Sequence, residues 1–311
     1  LAAGHSVGEI TAAGAVGVLS AEQAMVFVRE RGKAMAEASA LEPTGMSAVL
    51  GGDPEEVLAA LDNLGLTPAN NNGSGQVVAA GSLTMLAKLK ENPPAKARII
   101  PLSVAGAFHT QYMLPGKQHL EKLAGAITTH APRTRLLSNA DGQVVQSGDE
   151  YLQRLVNQVT LPVRWDLCMQ TMTDLGVTGL LELPPAKTLT GIAKRNMKGV
   201  ELFTLNTPDD LPGAADFVAR HSDLEEHHAR TTNMPWLMVV SPAKGEFQRA
   251  DGLADGADLE PGAVIGSVAN LRESIQVHAE NGGQVTEWLV EPGDLVSPGQ
   301  PLVRLYPAQE I

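Results

Sequence analysis

The sequence predicts an α/β protein built on a parallel sheet, followed by a smaller all-β unit. Up to about residue 205, apolar segments of strand length alternate with amphipathic helical segments, which is typical of a parallel sheet covered on both faces. A glycine-flanked turn at residues 4–8 joins a short apolar segment to the first helical one. After about residue 235 the helical pattern stops, and short β-type segments are separated by Gly and Pro.

Each element is predicted from hydrophobic periodicity and from the residues that begin or end it. The predicted helices cover residues 9–19, 21–40, 54–64, 83–90, 113–130, 149–159, 166–175 and 188–196. The predicted strands cover 46–51, 77–80, 97–104, 136–139, 179–183 and 200–205, then 236–241, 264–268, 274–279, 284–290 and 301–305. The Asn- and Gly-rich run at 70–75 is predicted to be a loop.

These elements predict four parts of the chain. Residues 1–44 and 104–225 form a large subdomain, which ends in a helix, and residues 45–103 form a small subdomain inserted into it. Residues 226–235 form a polar linker, whose two histidines are interpreted as solvated side chains because a metal site needs more converging ligands. Residues 236–311 form the β unit, with 11 acidic and four basic side chains.

Composition excludes several classes of protein. The net charge of −12 and the pI near 5.1 argue against nonspecific binding to nucleic acid or to an anionic membrane. No segment approaches the roughly 18 apolar residues of a membrane-spanning helix. The single cysteine, Cys168, precludes an internal disulfide and lies in an apolar stretch, so we expect a buried, unreactive thiol in a cytoplasmic protein.

The segment Gly-His-Ser-Val-Gly-Glu at residues 4–9 has the form of a nucleophile elbow, in which a strand-to-helix turn presents one serine hydroxyl. Gly4 and Gly8 are expected to allow close backbone approach around Ser6. His109 follows a predicted strand, where catalytic groups collect in α/β sheets, and is the candidate general base. No acidic residue between Ser6 and His109 completes a triad, so a glycine turn with an incidental serine stays open.

The elbow lies unusually close to the N-terminus. Only three residues precede Gly4, whereas a buried strand needs roughly five or six. The chain also begins with Leu1 rather than methionine. We therefore expect it to be a fragment whose first strands and helices are missing, and the genomic sequence upstream of Leu1 is the observation that tests this.

Several ordered blocks over residues 1–210 resemble malonyl-CoA:acyl carrier protein transacylases. They lie at residues 4–9, 31–35 (Arg-Gly-Lys-Ala-Met), 73–78 (Gly-Ser-Gly-Gln-Val-Val), 106–109 (Gly-Ala-Phe-His), 162–165 (Pro-Val-Arg-Trp) and 182–191. The resemblance implies a hydrolase-like acyltransferase core with an inserted ferredoxin-like subdomain. It also implies a bacterial enzyme that transfers malonyl groups from coenzyme A to the phosphopantetheine thiol of acyl carrier protein.

The same resemblance implies roles for individual residues. Ser6 would carry the malonyl ester, and His109 would act as general base and then acid, oriented by a main-chain carbonyl near Leu183 and Pro184. The family usually has Gly-Pro-Gly there, where this chain has Pro-Pro-Ala. Arg31 would form a forked pair with the malonyl carboxylate, which suits a planar guanidinium. The alternative for Arg31 is an ordinary surface position, like that expected for Arg29.

Three further residues are assigned to substrate binding by this resemblance: Val7, Phe108 and Met35. The Val7 amide would donate to the oxyanion, and Phe108 resembles the malonyl-selective form of the motif. A second oxyanion amide would come from a Gly-Gln-Gly-x-Gln loop that this sequence lacks. Because loss of one donor costs about 10²- to 10³-fold, we expect the chain as written to be inactive or poorly folded.

The C-terminal unit resembles a biotinyl or lipoyl carrier domain in its repeated strand-and-turn pattern at residues 244–247, 260–262, 282–288, 291–296 and 299–302. Carriers present a modified lysine in a hairpin turn, but Arg272 occupies about that position here, and Lys244 falls in a different turn. No biotin or lipoate is expected, and no other cofactor or metal. The unit is interpreted as a docking or assembly module with an unknown partner.

Three functions follow from these observations. The leading one is malonyl transfer for fatty acid or polyketide biosynthesis. Basic residues near the cleft would steer an acidic carrier protein to the site. The alternative is that these residues form a solvated helix face. The residues concerned are Lys187, Lys194, Arg195 and Lys198. The second is a serine esterase or thioesterase, for which Arg31 would have no use. The third is a non-catalytic scaffold in which the β unit recruits partners.

Overall fold

The computed structural model describes residues 1–222, 237–250, 252–254, 256–270 and 273–306. The chain divides into two compact units, Leu1–His221 and Ser222–Ile311. The predicted linker at 226–235 and its two histidines lie outside the described residues. No described helix is long and apolar enough to cross a membrane.

The helices of the first unit begin close to the predicted positions because their capping residues are local. They are α1 (Gly8–Ala15), α2 (Ala21–Ser39), α3 (Pro54–Asn63), α4 (Leu83–Glu91), α5 (Leu114–Ala124), α6 (Gly148–Gln158), α7 (Trp165–Asp174), α8 (Thr188–Asn196) and α9 (Leu211–His221). Ser20 caps α2 through a capping box with Gln23, and Ser147 caps α6. Helices α1 and α5 end earlier than predicted, since the apolar pattern of each continues into a turn.

The small subdomain has the order β-α-β-β-α-β, which is the ferredoxin-like connectivity. Its strands are β1 (Thr44–Gly51), β2 (Thr67–Asn71), β3 (Gln76–Ser82) and β4 (Ala97–Pro101), in the spatial order β4-β1-β3-β2 with antiparallel neighbours. The loop prediction for residues 70–75 is wrong at its start, because Asn70 and Asn71 pair with Val78 and Val77.

Parallel pairing is less extensive than predicted. Strand β8 (Gly179–Glu182) runs parallel to β9 (Glu201–Thr204), and Ala2 forms a parallel bridge with Leu136 at the start of β5 (Leu136–Leu137). Strand β5 instead pairs antiparallel with β6 (Val144–Val145). The largest described sheet of this unit is mixed, because β7 (Val163–Arg164) joins the small subdomain's edge parallel to β2.

Helices α1, α2, α5 and α6 share one apolar core, which fixes the positions of these helices relative to one another. Phe27 of α2, Met113 before α5 and Leu155 of α6 are fully buried in this core. A second core joins α7 and α8 around Trp165 and Cys168. The elbow therefore leads into a helix, α1, that packs in a common core with α2, α5 and α6.

The described residues of the second unit form β-strands and connections only, as predicted, and these strands make two four-stranded antiparallel sheets. Its strands are β10 (Leu237–Val240), β11 (Gly245–Arg249), β12 (Asp258–Leu259), β13 (Ala263–Ala269), β14 (Ser274–Ala279), β15 (Gly283–Trp288), β16 (Leu295–Val296) and β17 (Pro301–Tyr306). The sheet orders are β10-β17-β15-β12 and β14-β13-β11-β16. Their inner faces enclose an apolar core around Phe247 and Ile265. Strands β11, β12 and β16 were absent from the sequence prediction.

Candidate active site

The elbow holds Ser6 in a left-handed backbone conformation, with φ of 53°. Asn139, which follows β5, clamps the turn from both sides. Its Oδ1 accepts the Ser6 N–H at 2.8 Å, and its Nδ2 donates to the Gly4 carbonyl at 2.7 Å. A Cβ on Gly4 would come within 2.0 Å of the Gly8 backbone, so Gly4 is required here. A Cβ on Gly8 would meet nothing within 4 Å, so the close approach requires glycine at position 4, and the expectation that it also requires glycine at position 8 is wrong.

Ser6 and His109 come together although 103 residues separate them. The Ser6 Oγ lies 2.7 Å from His109 Nε2, and His109 Nδ1 lies 2.8 Å from the main-chain oxygen of Gln158. Because a carbonyl only accepts, Nδ1 carries the proton and the Nε2 lone pair faces the serine hydroxyl. A main-chain carbonyl therefore orients the imidazole, but the prediction that it comes from the Leu183–Pro184 segment is wrong.

Burial keeps the His109 imidazole neutral. The ring is almost completely enclosed, and this desolvation lowers its pKa to about 4, assisted by the positive charge of Arg31 and by His5. The hydrogen bond to the Gln158 carbonyl opposes the shift. At neutral pH the imidazole is thus in the form that accepts a proton from Ser6.

Arg31 also reaches this centre, from the middle of α2. Its Nη2 donates to Ser6 Oγ at 3.2 Å and to the side-chain oxygen of Gln158 at 3.3 Å. Arg31 is only 7% exposed, and burial lowers its pKa to about 10, while Glu9 opposes the shift. The guanidinium is therefore charged at neutral pH, and among the described residues its hydrogen bonds come from Nη2 alone. By contrast, Arg29 is exposed and pairs with Glu30.

Glu9 lies behind these groups and is 2% exposed. Its carboxylate accepts hydrogen bonds from the Asn139 main-chain N–H at 2.7 Å, from the Gln158 side-chain amide, and from the Tyr151 hydroxyl at 3.4 Å. Burial raises its pKa to about 7, whereas these hydrogen bonds and the Arg31 charge oppose the rise. The Glu9 carboxyl group is thus buried close to the reacting groups, and no hydrogen bond joins it to His109 within the described residues.

The three residues assigned to substrate binding by resemblance lie in different surroundings. Val7 is next to Ser6 and 46% exposed, and its N–H has no hydrogen-bond partner within the described residues. Phe108, next to His109, is partly buried between two apolar cores. Met35 is buried in the core one turn along α2 from Arg31, and its role in substrate binding stays a prediction.

The small subdomain is joined to the elbow through His5. The His5 Nε2 lies 3.0 Å from Asn72 Oδ1, and the His5 ring packs edge-on against Trp165. Arg195, at the end of α8, donates to Gln76 Oε1 at 2.6 Å. These contacts place the loop after β2 beside the elbow, and the basic end of α8 beside the start of β3. The carrier-steering role of the basic residues stays a prediction.

Cys168 is fully buried, and burial raises the pKa of its thiol to about 12. Its Sγ contacts Asn139 Nδ2 at 3.6 Å and the Ser138 carbonyl at 3.4 Å. The thiol is therefore protonated at neutral pH and supports the Asn139 clamp by packing.

Sequence reasoning missed Gln158 and Asn139 as site residues and gave Glu9 no role. Gln158 ends α6 four residues before the Pro-Val-Arg-Trp block, and Asn139 lies two residues after the end of β5. A polar residue at the carboxyl end of a strand or beside a matched block was the available signal. Their functions depend on contacts that span between 49 and 152 residues of sequence, which no local pattern encodes.

Within the described residues, no group of three or more His, Cys, Asp or Glu side chains is arranged to hold a metal ion. Arg272, where a carrier domain would have its modified lysine, lies outside the described residues. The expectation that no cofactor is bound therefore stays a prediction.

Comparison with known proteins identifies close relatives. The family model described as an acyl transferase domain matches residues 1–210. The chain is 52% identical over 216 residues to the malonyl CoA-acyl carrier protein transacylase of Mycobacterium tuberculosis strain H37Rv, covering 70% of this chain and 72% of that protein. It is 32% identical over 220 residues to the protein of the same name from Escherichia coli K12, covering 69% and 71%.

Solved structures agree with these relatives. The crystal structure of MCAT from Mycobacterium tuberculosis superposes with a TM-score of 0.67 and 52% identity, over 68% of this chain and 70% of that one. A malonyl-transacylase solved in complex with a type II PKS acyl-carrier protein superposes with a TM-score of 0.66 and 31% identity, over 69% and 71%.

Proposed function

This chain belongs to the acyl transferase domain family, and we propose that it transfers a malonyl group from coenzyme A to the phosphopantetheine thiol of an acyl carrier protein, through an ester on Ser6. The observation that carries the mechanism is the convergence of three side chains. Ser6 Oγ lies 2.7 Å from His109 Nε2 and 3.2 Å from Arg31 Nη2. A hydroxyl, a neutral imidazole and a buried guanidinium together suit an acyl group that ends in a carboxylate.

In the loading step, Arg31 pairs with the carboxylate of malonyl-CoA and places the thioester beside Ser6. His109 Nε2 takes the hydroxyl proton as Oγ attacks the thioester carbonyl, and the Val7 N–H donates to the resulting oxyanion. Collapse of the tetrahedral intermediate breaks the C–S bond. His109 then returns its proton to the coenzyme A sulfur, and malonyl-Ser6 remains.

In the second step, the carrier protein's thiol replaces coenzyme A. His109 removes the thiol proton, the sulfur attacks the ester carbonyl, and the proton returns to Ser6 Oγ as the ester bond breaks. The Gln158 carbonyl stabilises the transient imidazolium in both directions, as an aspartate does in the serine triad. The product is the malonyl carrier that fatty acid or polyketide biosynthesis consumes, and we place this reaction in the cytoplasm.

The esterase alternative is less well supported by the position of Arg31. A site for neutral esters gains nothing from a buried charge at 3.2 Å from the nucleophile, since burying an isolated charge is costly. The non-catalytic scaffold is disfavoured by the hydrogen bond between Ser6 and His109 and by the neutral state of the imidazole.

The proposed function is tested by the covalent intermediate. Incubation with malonyl-CoA, followed by acid quenching and peptide mass spectrometry, is expected to show one malonyl group on Ser6. Long single-turnover incubations detect loading even where only one oxyanion amide acts. Addition of holo-acyl carrier protein should remove the group and malonylate the carrier, whereas release mainly as free malonate would indicate a hydrolase. Absence of any Ser6 ester would refute the proposed function.

For the second unit we propose a carrier-type fold without a covalent cofactor. Two four-stranded antiparallel sheets and the β13–β14 hairpin, whose turn is closed by Asn270 N–H donating to Glu273 O at 2.9 Å, are compatible with this. Arg272, which lies between Asn270 and Glu273 in the sequence, lacks the nucleophilic amine that biotin and lipoate ligases acylate. A docking role follows for the unit, with a partner of unknown identity.

Co-expression with a biotin ligase tests this second proposal. We expect the intact mass of the purified chain to be unchanged, and we expect the variant Arg272→Lys to gain one biotin, because it restores an amine at the hairpin turn. A biotin on the unaltered chain would contradict the proposal. So would a biotin-free Arg272→Lys variant, because the hairpin would then not be the modification site of a carrier fold.

A further inference from the structure

Gln158 connects every reacting group of the site. Its main-chain oxygen accepts from His109, its side-chain oxygen accepts from Arg31, and its side-chain nitrogen donates to the Ser6 carbonyl at 3.2 Å and to Glu9. Both faces of this amide are therefore specified. If it were turned over, its NH₂ group would face the Arg31 guanidinium, and its oxygen would face two other acceptors.

Glu9 is the group that selects this orientation. Its carboxylate receives donors on both oxygens, the Asn139 N–H and the Tyr151 hydroxyl on Oε1 and the Gln158 amide on Oε2. Only a side chain with two accepting oxygens satisfies the amide donors on both sides. A neutral glutamine at this position would have to direct its own NH₂ group at one of them, which leaves a buried donor without a partner.

The charges agree with this arrangement. Arg31 is positive and the ionised form of Glu9 is negative, and the Gln158 amide lies between them with its nitrogen towards Glu9 and its oxygen towards Arg31. The amide dipole is thus aligned by both charges. It also leaves Arg31 without a direct carboxylate partner within the described residues, so the guanidinium stays available to the carboxylate of a substrate.

We propose that Glu9 is a positioning residue, which acts through the Gln158 side chain to hold Arg31 where it receives the malonyl carboxylate. Through Asn139 it also braces the elbow, but its effect on acyl selectivity passes through Gln158. This inference rests on the proposed function, because it concerns how that reaction distinguishes a charged acyl group from an uncharged one.

The test compares three reactions of Ser6 in the variant Glu9→Gln. We expect the efficiency of malonylation to fall about 10- to 100-fold, mainly through a higher KM for malonyl-CoA. The reason is that the Gln158 amide loses its acceptor on Glu9 and then no longer holds Arg31 in place. Acetylation by acetyl-CoA and labelling by a neutral fluorophosphonate should each change less than about three-fold. A general structural defect would lower all three alike and would overturn the proposal. Glu37→Gln, on the exposed face of α2, is the matched control.

A double-mutant cycle with Gln158→Ala shows whether Glu9 acts through that side chain. In the Gln158→Ala background the donor conflict is gone, so adding Glu9→Gln should lower malonylation less than about three-fold further. Full additivity of the two substitutions would contradict the proposal.

The same cycle is also measured by urea denaturation of the four proteins. This measurement does not depend on activity, so it tests the contact between Glu9 and Gln158 even if Glu9→Gln is destabilised or Ser6 is never malonylated. The unfolding equilibrium constant should rise about ten-fold or more in the wild-type background and less than three-fold with Gln158→Ala. An equal rise in both backgrounds would overturn the contact between Glu9 and Gln158. Failure of the wild-type chain to form malonyl-Ser6 would refute the proposed function and, with it, the claim on selectivity.

Discussion

Replacement of His109 by alanine is expected to lower the rate of Ser6 malonylation by about 10³- to 10⁴-fold. The imidazole is the neutral base whose Nε2 lies 2.7 Å from the Ser6 hydroxyl, and positioned acid–base catalysis contributes up to about 10⁴-fold. Single-turnover malonylation followed by mass spectrometry measures the effect. The residual rate should resemble that of Ser6 with water as its base.

The matched control is His119→Ala, because His119 is an exposed histidine on α5 that pairs only with Glu30 within the described residues. It should change the rate less than two-fold. Circular dichroism of both variants tests folding, since His109 is buried and its removal leaves a cavity. A folded His109→Ala variant with a rate within ten-fold of wild type would show that another group is the base.

Replacement of Arg31 by alanine is expected to convert a malonyl-selective site into one that prefers uncharged acyl groups. Two charge-assisted hydrogen bonds to the substrate carboxylate are lost, each of roughly 1.5–3 kcal/mol, which together correspond to about a 10²- to 10⁴-fold fall in efficiency with malonyl-CoA. Acetyl-CoA has no carboxylate, so its reaction should change less than three-fold. The ratio of the two efficiencies is the measured quantity.

Arg29→Ala provides the control for charge alone. Arg29 lies two residues away on the same helix, is exposed and pairs with Glu30, so the ratio should not change. Arg31→Lys should recover only part of the malonyl preference, since an ammonium does not offer the parallel donors of a guanidinium. If Arg31→Ala lowers malonyl-CoA and acetyl-CoA efficiencies equally, Arg31 supports the site structurally and does not select the substrate.

Local patterns predicted most helices of this fold because capping residues and periodicity are encoded within a few positions. Ser20 caps α2 by accepting from the Gln23 N–H, and Asp53 caps α3 by accepting from the Glu55 and Glu56 N–H groups. Strand β2 was missed because Asn70 and Asn71 have low strand propensity, and tertiary pairing with β3 overrides it. The two-residue strands β6 and β7 carry no recognisable pattern at all.

The candidate site divides in the same way. Ser6, His109 and Arg31 lie in the sequence blocks that resemble the family, so the sequence indicated them as site residues. The structure brings all three together. The carbonyl that orients His109 was misplaced, because any residue has a carbonyl and only the folded chain shows which one lies 2.8 Å from Nδ1. Glu9 was visible in the elbow block, but its role depends on donors from Asn139 and Gln158.

The left-handed backbone at Ser6, and at His109 with φ of 61°, has a consequence for how this protein tolerates substitution. A non-glycine residue in the left-handed region costs about 1–2 kcal/mol of conformational free energy. The site is therefore maintained at the expense of thermostability. Glycine at position 6 would relieve that penalty and remove the nucleophile together. Selection for thermostability alone would therefore favour glycine at position 6, which gives a more stable protein that can no longer carry an acyl group.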